Sequence, residues 1–325
     1  MSALDFRRSR LIKGHGLFVH ISLGERLRAA RGVPQAVVKV ISYGHGAKGV
    51  GQSIDYISRK GELAIETERG DLIQGRQERK ELVRNWSRDF GSRKNSRDSV
   101  HIAFSMPKGS DPEALRGAVR TVLTKNFSDH EAVFAIHLDR PHPHAHVVVK
   151  MRSRETGKQL RLNEPELYKL REAFAEAARE QGVELAASPR AARGVGQKGM
   201  RQVIYQLHQK KIIPRVEKEA VREILEEMER GGFQEKIWER AMRERNNKER
   251  KAYLADAQSL RVAAAQEDAR HQEAFLAAAR DMERFAKTMP KAQTRRQAFI
   301  ERISKTFGPG KTKNDRSHDN DMELD

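Results

Sequence analysis

Apolar residues in the first two thirds of the chain form short, β-branched runs that are separated by segments with helical spacing. Four of these runs predict strands, at residues 36–43, 100–107, 132–139 and 144–151. The last two are joined only by a short Arg-Pro-His-Pro link, so we expect them to be neighbours in one sheet. Strands that alternate with helices but are partly joined by tight links predict an α+β fold, with a mainly antiparallel sheet flanked by helices.

The segments between the strands predict helices. Glycines at 44–51 predict a flexible loop that leads into the first helix, in which Val50, Ile54 and Ile57 are spaced to form one buried stripe. Tyr56 falls on the flank of this helix, away from the stripe. Further helices are predicted at 75–91, at 111–127 and from residue 164 to a glycine stop at 182.

The pattern divides the chain into four regions. Residues 1–34 are a basic N-terminal arm to which no fold is assigned, and residues 35–200 hold the α+β domain. Residues 201–307 have few large apolar side chains and predict a charged helical region, which is either a solvated spacer or a surface for partner proteins. Residues 308–325 begin with a Gly-Pro-Gly stop and are expected to form a disordered tail.

Charge and cysteine content narrow the function classes. The chain has 63 basic and 45 acidic residues, and the resulting net charge of +18 favours a polyanionic partner such as nucleic acid. With no cysteine, disulfides and thiolate metal sites are excluded, and any metal must be held by His, Asp or Glu. The apolar stretch at 17–23 is too short for a signal peptide or a spanning helix, so we expect a cytoplasmic protein without membrane insertion, unless a dedicated machine exports it.

Residues 137–146, HLDRPHPHAH, contain four of the 12 histidines. Because side chains alternate along a strand, His144 and His146 point the same way, roughly 7 Å apart, and the link can bring His137 alongside them. The alternative is a solvated surface tract, but the position at the mouth of an apolar strand favours a metal site. A metal ion held by three imidazoles would act as a Lewis acid, and Asp139 would orient one of these imidazoles or, as the alternative, bind the metal itself.

Three motifs carry a family resemblance. HLDRPHPHAHVVV at 137–149 resembles the third motif of conjugative relaxases, which are His-hydrophobic-His nucleases, and is most similar to the branch that contains the T-DNA border endonuclease and plasmid mobilisation nucleases. IDYISRKG at 54–61 resembles the first motif of that branch, and HIAFSMPKGSD at 101–111 resembles the second. Shorter matches follow in the same order, so the resemblance covers about residues 36–200.

The resemblance implies a relaxase that nicks one DNA strand at an origin of transfer, for plasmid mobilisation or conjugative transfer. Tyr56 matches the nucleophile of metal-assisted transesterification, which leaves a 5′-phosphotyrosine link and a free 3′-hydroxyl. The implied metal ligands are His137, His144 and His146. Affinity for imidazole favours Zn²⁺, Ni²⁺ or Cu²⁺, whereas availability and substrate phosphate favour Mg²⁺ or Mn²⁺, which we expect in the cell.

The resemblance also implies how the DNA is held. Ser105 matches a position that helps to hold DNA near the nick, and Asp139 matches an acidic residue whose role is open between orienting a histidine and helping to deprotonate the tyrosine. The candidates for phosphate contacts are Arg59, Lys60, Lys108, Arg152, Arg154 and Lys158. The implied partners are single-stranded DNA at an origin of transfer, accessory relaxosome proteins and a coupling protein of a type IV secretion system.

Two competing interpretations remain. A rolling-circle replication initiator shares the tyrosine and the histidine site, but initiators commonly carry the tyrosine after the histidines, and here the tyrosine comes first. A metal-stabilised nucleic-acid-binding protein without turnover would explain the charge alone, and it predicts that Tyr56→Phe changes nothing. The arm at 1–34 has no counterpart in the family, and the acidic end of the tail leaves a secretion signal unlocated.

Overall fold

The computed structural model describes residues 21–91, 93, 95–196 and 202–307. The chain divides into two compact units, one that ends at Ser188 and one that begins at Pro189. The first 20 residues of the predicted arm and the predicted tail at 308–325 lie outside the described residues.

Within the described residues, the first unit is built on a six-stranded sheet of order β1-β4-β6-β5-β2-β3, and its ladders are antiparallel. The strands are β1 Val37–Gly44, β2 Ile65–Thr67, β3 Leu72–Ile73, β4 Ser99–Ser105, β5 Ala132–His137 and β6 His144–Lys150. The prediction of an α+β fold with a mainly antiparallel sheet is confirmed, and so is the pairing of β5 with β6 across the short link.

The helices of the first unit are α1 Leu23–Ala30, α2 Gly46–Ile57, α3 Gly75–Ser87, α4 Pro112–Asn126 and α5 Glu164–Glu180. Both α4 and α5 have a proline in the first turn, after Asp111 and Asn163. The side chains of these two caps accept the backbone N–H groups of Glu113 and Glu166, which would otherwise have no partner inside the helix. The sequence therefore fixes where both helices begin.

Helices cover both faces of the sheet. On one face α4 and α5 pack over alternate strand residues such as Ile102 and Phe104. On the other face α2 and α3 pack over Val148 and its neighbours. The predicted stripe of α2 is buried as expected, and Tyr56 lies outside it. Because strand residues alternate between the faces, the side of the sheet under α2 is the side on which His101, His137, His144 and His146 lie.

The glycine-rich segment at 44–51 differs from its prediction, because most of it is helical and α2 already begins at Gly46. The buried carboxylate of Asp98 accepts the N–H of Gly46 at 2.7 Å and so starts the helix. Gly44 is needed for close packing, since a Cβ there would clash with the hydroxyl of Ser99 and lie 3.2 Å from the Cα of Val50. These glycines therefore bring α2 close to β1 and do not form a flexible loop.

Two elements were not predicted. Helix α1 lies inside the predicted arm, where Ser22 caps its first turn and Glu25 and Ala29 are buried. The carboxylate of Glu25 accepts the backbone N–H of Ala187, which ties this helix to the end of the first unit. The β2–β3 hairpin was missed because strands of three and two residues are too short to show an alternating pattern.

The second unit is helical, as the sequence predicts. Its helices are α6 Gln202–Gln209, α7 Arg215–Glu229, α8 Ile237–Ala264, α9 Ala269–Thr288 and α10 Arg295–Phe307. The rings of Tyr253 in α8 and Phe285 in α9 are 4.9 Å apart, and the hydroxyl of Tyr253 donates to the carbonyl of Ala192 at 2.8 Å. Small residues such as Ala257 and Ala279 fill the rest of this interface, so α8 and α9 are packed helices and not a solvated spacer. In the described part of the chain, no helix is both long and apolar enough to cross a membrane.

Candidate active site

The β5–β6 hairpin brings together the three histidines that the sequence singled out. His137 pairs with His144 across the ladder, and His146 lies two residues further along β6 on the same face. Each residue offers one ring nitrogen, and these nitrogens all lie within 4.8 Å of one another. His142 is exposed in the link, as expected from the proline that separates it from the strand. The spacing of the three nitrogens is that of a possible metal site.

Backbone carbonyls engage the second nitrogen of two of these histidines. Nε2–H of His137 donates to the carbonyl of Ile57 at 2.7 Å, and Nδ1–H of His144 donates to the carbonyl of His142 at 3.2 Å. Because a carbonyl can only accept, these bonds leave the lone pairs on Nδ1 of His137 and on Nε2 of His144. Fixed rings with a free lone pair are what a metal ligand requires, so the residues present fit a divalent ion.

Burial keeps the central imidazoles neutral. It lowers the pKa of His146 to about 3, and the neighbouring His101 and His137 lower it further by charge repulsion. Burial also lowers the pKa of His137, although the hydrogen bond to Ile57 partly offsets this. Neutral imidazole is the form that binds metals, so His137 and His146 can bind an ion at neutral pH without first losing a proton.

Tyr56 lies directly beside the cluster. Its side chain is 60% exposed, and its ring centroid is 5.3 Å from that of His146 and 6.5 Å from that of His137. The hydrogen bond from His137 reaches the carbonyl of Ile57, the residue that follows the tyrosine. The end of α2 is therefore tied to the cluster, and the phenol is accessible to solvent at its mouth.

The turn after α2 is strained and is held from α3. Arg59 and Lys60 have φ angles of 49° and 59°, a region that side chains other than glycine rarely adopt. The buried guanidinium of Arg79 donates to the carbonyl of Lys60 at 3.0 Å and to the carboxylate of Asp55 at 3.2 Å. Arg79 was not predicted as a site residue, because nothing in the sequence distinguishes it from the other charged residues of α3. Arg79 therefore holds the chain on both sides of Tyr56, at Asp55 and at Lys60, against α3.

Asp139 lies between Arg59 and the cluster. Its Oδ1 is 2.9 Å from Nη2 of Arg59 and 3.8 Å from Nε2 of His144, and the second distance is too long for a hydrogen bond. Burial raises the pKa of Asp139, but a backbone N–H and the charge of Arg59 outweigh this, so its pKa lies below the usual value. The carboxylate is therefore charged and ion-paired, next to the ring nitrogen of His144 that bears a lone pair.

Four of the predicted DNA contacts lie at or just after the ends of α2 and β4, the two elements that reach the cluster through Ile57 and Ser105. Ser105 pairs with His144 in the β4–β6 ladder and is half-buried on the same face. Lys108 is exposed in the turn that follows β4. Lys60 is exposed in the strained turn. Arg59, in the same turn as Lys60, is ion-paired with Asp139 beside the cluster.

The other predicted contacts lie elsewhere. Arg152, Arg154 and Lys158 follow the opposite end of β6, and seven residues of strand span roughly 20 Å. Arg154 also donates to Glu68 at 2.9 Å and to the carbonyl of Ser128 at 3.1 Å. The structure therefore divides the predicted basic set into two groups, because the length of one strand separates them.

A fourth histidine, His101 on β4, was named in the second motif but given no role. It shares a face with Ser105, and its Nε2 is 2.8 Å from Nδ1 of His146. Burial lowers the pKa of His101 to about 4, with a further contribution from His137. The signal in the sequence was its even spacing from Ser105, which places both side chains on the face of the cluster.

The chain is similar in sequence to known proteins. Residues 56–183 match the family described as "Relaxase: MobA/VirD2-like, nuclease domain". The chain is 29% identical over 213 residues to the T-DNA border endonuclease VirD2 of Agrobacterium fabrum, over 58% of this chain and 46% of that protein. It is 30% identical over 184 residues to the VirD2 of Rhizobium rhizogenes, over 50% of this chain and 42% of that protein.

The chain thus spans less than half the length of these curated relatives. Among solved structures, it is similar to the relaxase domain of MobM in a manganese-bound crystal structure with plasmid oriT DNA. That similarity has a TM-score of 0.38 and 17% identity, and it covers 54% of this chain and 98% of that one.

Proposed function

Because residues 56–183 match the MobA/VirD2-like relaxase nuclease family, we propose that this chain nicks one DNA strand at an origin of transfer, with Tyr56 as the nucleophile. The observation that carries the proposal is the position of the phenol ring, 5.3 Å from His146 at the exposed mouth of three convergent imidazoles. A tyrosine that only packs at the edge of a core would not need three convergent imidazoles beside its ring.

The proposed reaction replaces one phosphodiester by another. The phenolic oxygen of Tyr56 forms a bond to the scissile phosphorus, and the bond from phosphorus to the 3′-oxygen breaks. The phenol loses its proton and the leaving 3′-oxygen gains one, so the products are a 5′-phosphotyrosine link and a free 3′-hydroxyl. Because the link is an ester of similar energy, the same tyrosine can later reseal the strand.

The residues around Tyr56 have separate roles in the proposal. His137, His144 and His146 would hold Mg²⁺ or Mn²⁺, which would polarise the phosphoryl oxygen and neutralise developing charge. The bond from His137 to the carbonyl of Ile57 holds the nucleophile's end of α2 against these ligands. Asp139 is charged and ion-paired with Arg59, and its carboxylate would add negative charge beside the metal site, since Nε2 of His144 has no proton to donate to it.

Single-stranded DNA is the proposed substrate. The proposed contacts near the nick are Arg59 and Lys60, in the turn after α2, together with Ser105 at the end of β4 and Lys108 in the turn that follows it. Arg152 and Arg154 would contact the DNA only if the strand continues along the sheet to the far end of β6. Accessory relaxosome proteins and a type IV coupling protein are the proposed protein partners, and the helical second unit offers a separate surface for them.

A covalent-adduct assay tests the proposal. The wild type and Tyr56→Phe are incubated with Mn²⁺ or Mg²⁺ and labelled single strands tiled across the DNA that flanks the gene, and the products are separated on a denaturing protein gel. We expect a slow labelled band in the wild type that a chelator abolishes and that Tyr56→Phe lacks. Tyr43→Phe, on the neighbouring strand β1, is the matched control and should keep the band.

Two results would contradict the proposal. Cleavage without an attached band would identify a hydrolytic metallonuclease and would remove Tyr56 from the reaction. Absence of cleavage on every tiled segment, with DNA binding intact, would favour a binding protein without turnover.

A further inference from the structure

The cluster contains one more imidazole than the proposed reaction uses. His101 is 3% exposed on the central strand β4, and its ring centroid is 4.8 Å from that of His146. Its Nε2 faces Nδ1 of His146 at 2.8 Å, which is a hydrogen-bond distance. Two imidazoles in such contact must share one proton, so one of them donates and the other accepts.

The metal site decides the direction of this hydrogen bond. Nδ1 of His146 is engaged by His101, so His146 can bind an ion only through Nε2. A ligating imidazole is neutral, and its single proton must then be on Nδ1, from which it is donated to His101. Nε2 of His101 must therefore accept, and the proton of His101 must be on its own Nδ1. The geometry allows one arrangement of protons.

The position of His146 in the sheet explains why a side chain is needed as the acceptor. His137 and His144 lie at strand ends, where the carbonyls of Ile57 and His142 are free to accept their protons. His146 lies inside β6, and β4 and β5 pair with it on both sides. The carbonyls around it accept hydrogen bonds within the ladders, and the partner that the structure provides for Nδ1 is the side chain of His101.

We propose that His101 is a positioning residue that fixes the tautomer and the ring orientation of His146 for metal binding. The inference rests on the metal-assisted reaction proposed above, and it assigns a role that none of the three ligands can supply. His101 also lies under the nucleophile, with its ring centroid 5.6 Å from that of Tyr56. One buried side chain thus contacts both the ligand and the tyrosine.

Metal binding by the full chain tests the role without reference to DNA. His101→Phe keeps the ring volume but cannot accept a proton, whereas the amide oxygen of His101→Gln can accept at about the position of Nε2. The matched control is His130→Phe, which removes another buried histidine at the far end of the sheet, where its Nδ1 bonds to the carbonyl of Lys150 at 2.9 Å. The dissociation constant for Mn²⁺ is measured for each by the loss of the free-ion signal in electron paramagnetic resonance.

We expect His101→Phe to weaken Mn²⁺ binding by about 10- to 100-fold, as for other residues that orient a metal ligand. His101→Gln should recover most of the affinity, and His130→Phe should bind like the wild type. The thermal midpoints of the two phenylalanine variants show whether folding is affected equally. If His101 had only a structural role, His101→Gln and His101→Phe would not differ in their affinity for Mn²⁺.

The inference is overturned if His101→Phe binds Mn²⁺ as tightly as the wild type, or if His130→Phe or His101→Gln weakens binding as much as His101→Phe does. Failure of the proposed function looks different. A wild type that binds Mn²⁺ but forms no DNA adduct would contradict the tyrosine reaction, while the affinities of the His101 variants would still decide the role of His101.

Discussion

His142 and His144 are two residues apart, and their different surroundings show how the cluster is built. His144 is in the β6 ladder and directs its ring into the cluster, whereas the side chain of His142 is exposed in the link. The link still helps to orient the ring of His144, because the backbone carbonyl of His142 accepts the Nδ1–H of His144. The side chain of one histidine and the backbone of the other therefore act together.

This pair gives a prediction about single residues. His144→Ala should lose Mn²⁺ binding and adduct formation, because it removes one of the three converging nitrogens. His142→Ala should keep both, because alanine leaves the accepting carbonyl in place. Titration with Mn²⁺ and the gel assay measure the two effects. Equal loss in both variants would contradict the assignment of the ligands.

At the residue scale, alternation along β6 was enough to predict His144 and His146, because both lie on one strand. His101 and Arg79 received no role because their contacts join residues 45 and 24 positions apart in the chain. Hydrogen bonds of this kind depend on how strands and helices pack, and no local pattern encodes them.

At the scale of elements, the strained turn after α2 depends on its anchor in α3. Arg79→Met should remove the hydrogen bonds to Lys60 and Asp55 and let the turn relax. We expect a loss of about 1–3 kcal/mol in the free energy of unfolding, since buried hydrogen-bonding groups lose their partner. We also expect a slower rate of adduct formation at saturating DNA, because Tyr56 lies in the segment that the anchor holds.

Arg84→Met, on the exposed side of the same helix, is the control for both measurements. Urea unfolding gives the stability, and single-turnover adduct formation gives the rate. An Arg79→Met variant that is destabilised but reacts at the wild-type rate would show that the anchor serves folding alone.

The elements themselves were predictable to different degrees. β4, β5, β6, α4 and α5 are long, periodic or clearly capped, and the sequence placed them to within a few residues. The start of α2 was not predictable, since glycines usually break helices and the contact with Asp98 that begins this one comes from 52 residues away. The β2–β3 hairpin is too short to leave a pattern.

At the scale of the whole molecule, a half-buried carboxyl in α5, that of Glu172, makes stability depend on pH. Burial raises the pKa of Glu172 to about 7, and the carboxylates of Glu25 and Glu176 add to the shift. An unshifted glutamate has a pKa near 4.5, so the fold favours the protonated form. The stability that this group contributes is complete below about pH 4.5 and is lost as the pH rises through 7.

Glu172→Gln should therefore raise the thermal midpoint more at pH 8 than at pH 5, because glutamine mimics the protonated form. Glu155→Gln, in an exposed loop, is the control and should show no such dependence on pH. Thermal scans at both pH values provide the comparison. An equal shift of the midpoint at the two pH values would mean that Glu172 titrates normally.

The division of the chain into two units could be predicted only in part from the sequence. The change in composition indicated a separate helical region, and the structure places the division between its two units at residues 188 and 189. The sequence did not predict the packing of α8 on α9. Alanines and one buried tyrosine form much of this interface, and few large apolar residues are present to indicate it. Small side chains allow close helix packing but leave a weak hydrophobic signal.

Locating the attached nucleotide tests most directly whether Tyr56 is the nucleophile. The wild type is allowed to react with Mn²⁺ and the tiled single strands, the adduct is digested with nuclease and trypsin, and the peptides are analysed by mass spectrometry. We expect a nucleotide phosphate on peptide 49–59, GVGQSIDYISR, in which Tyr56 is the only tyrosine. A nucleotide on any other peptide, or cleaved DNA with no modified peptide, would contradict it.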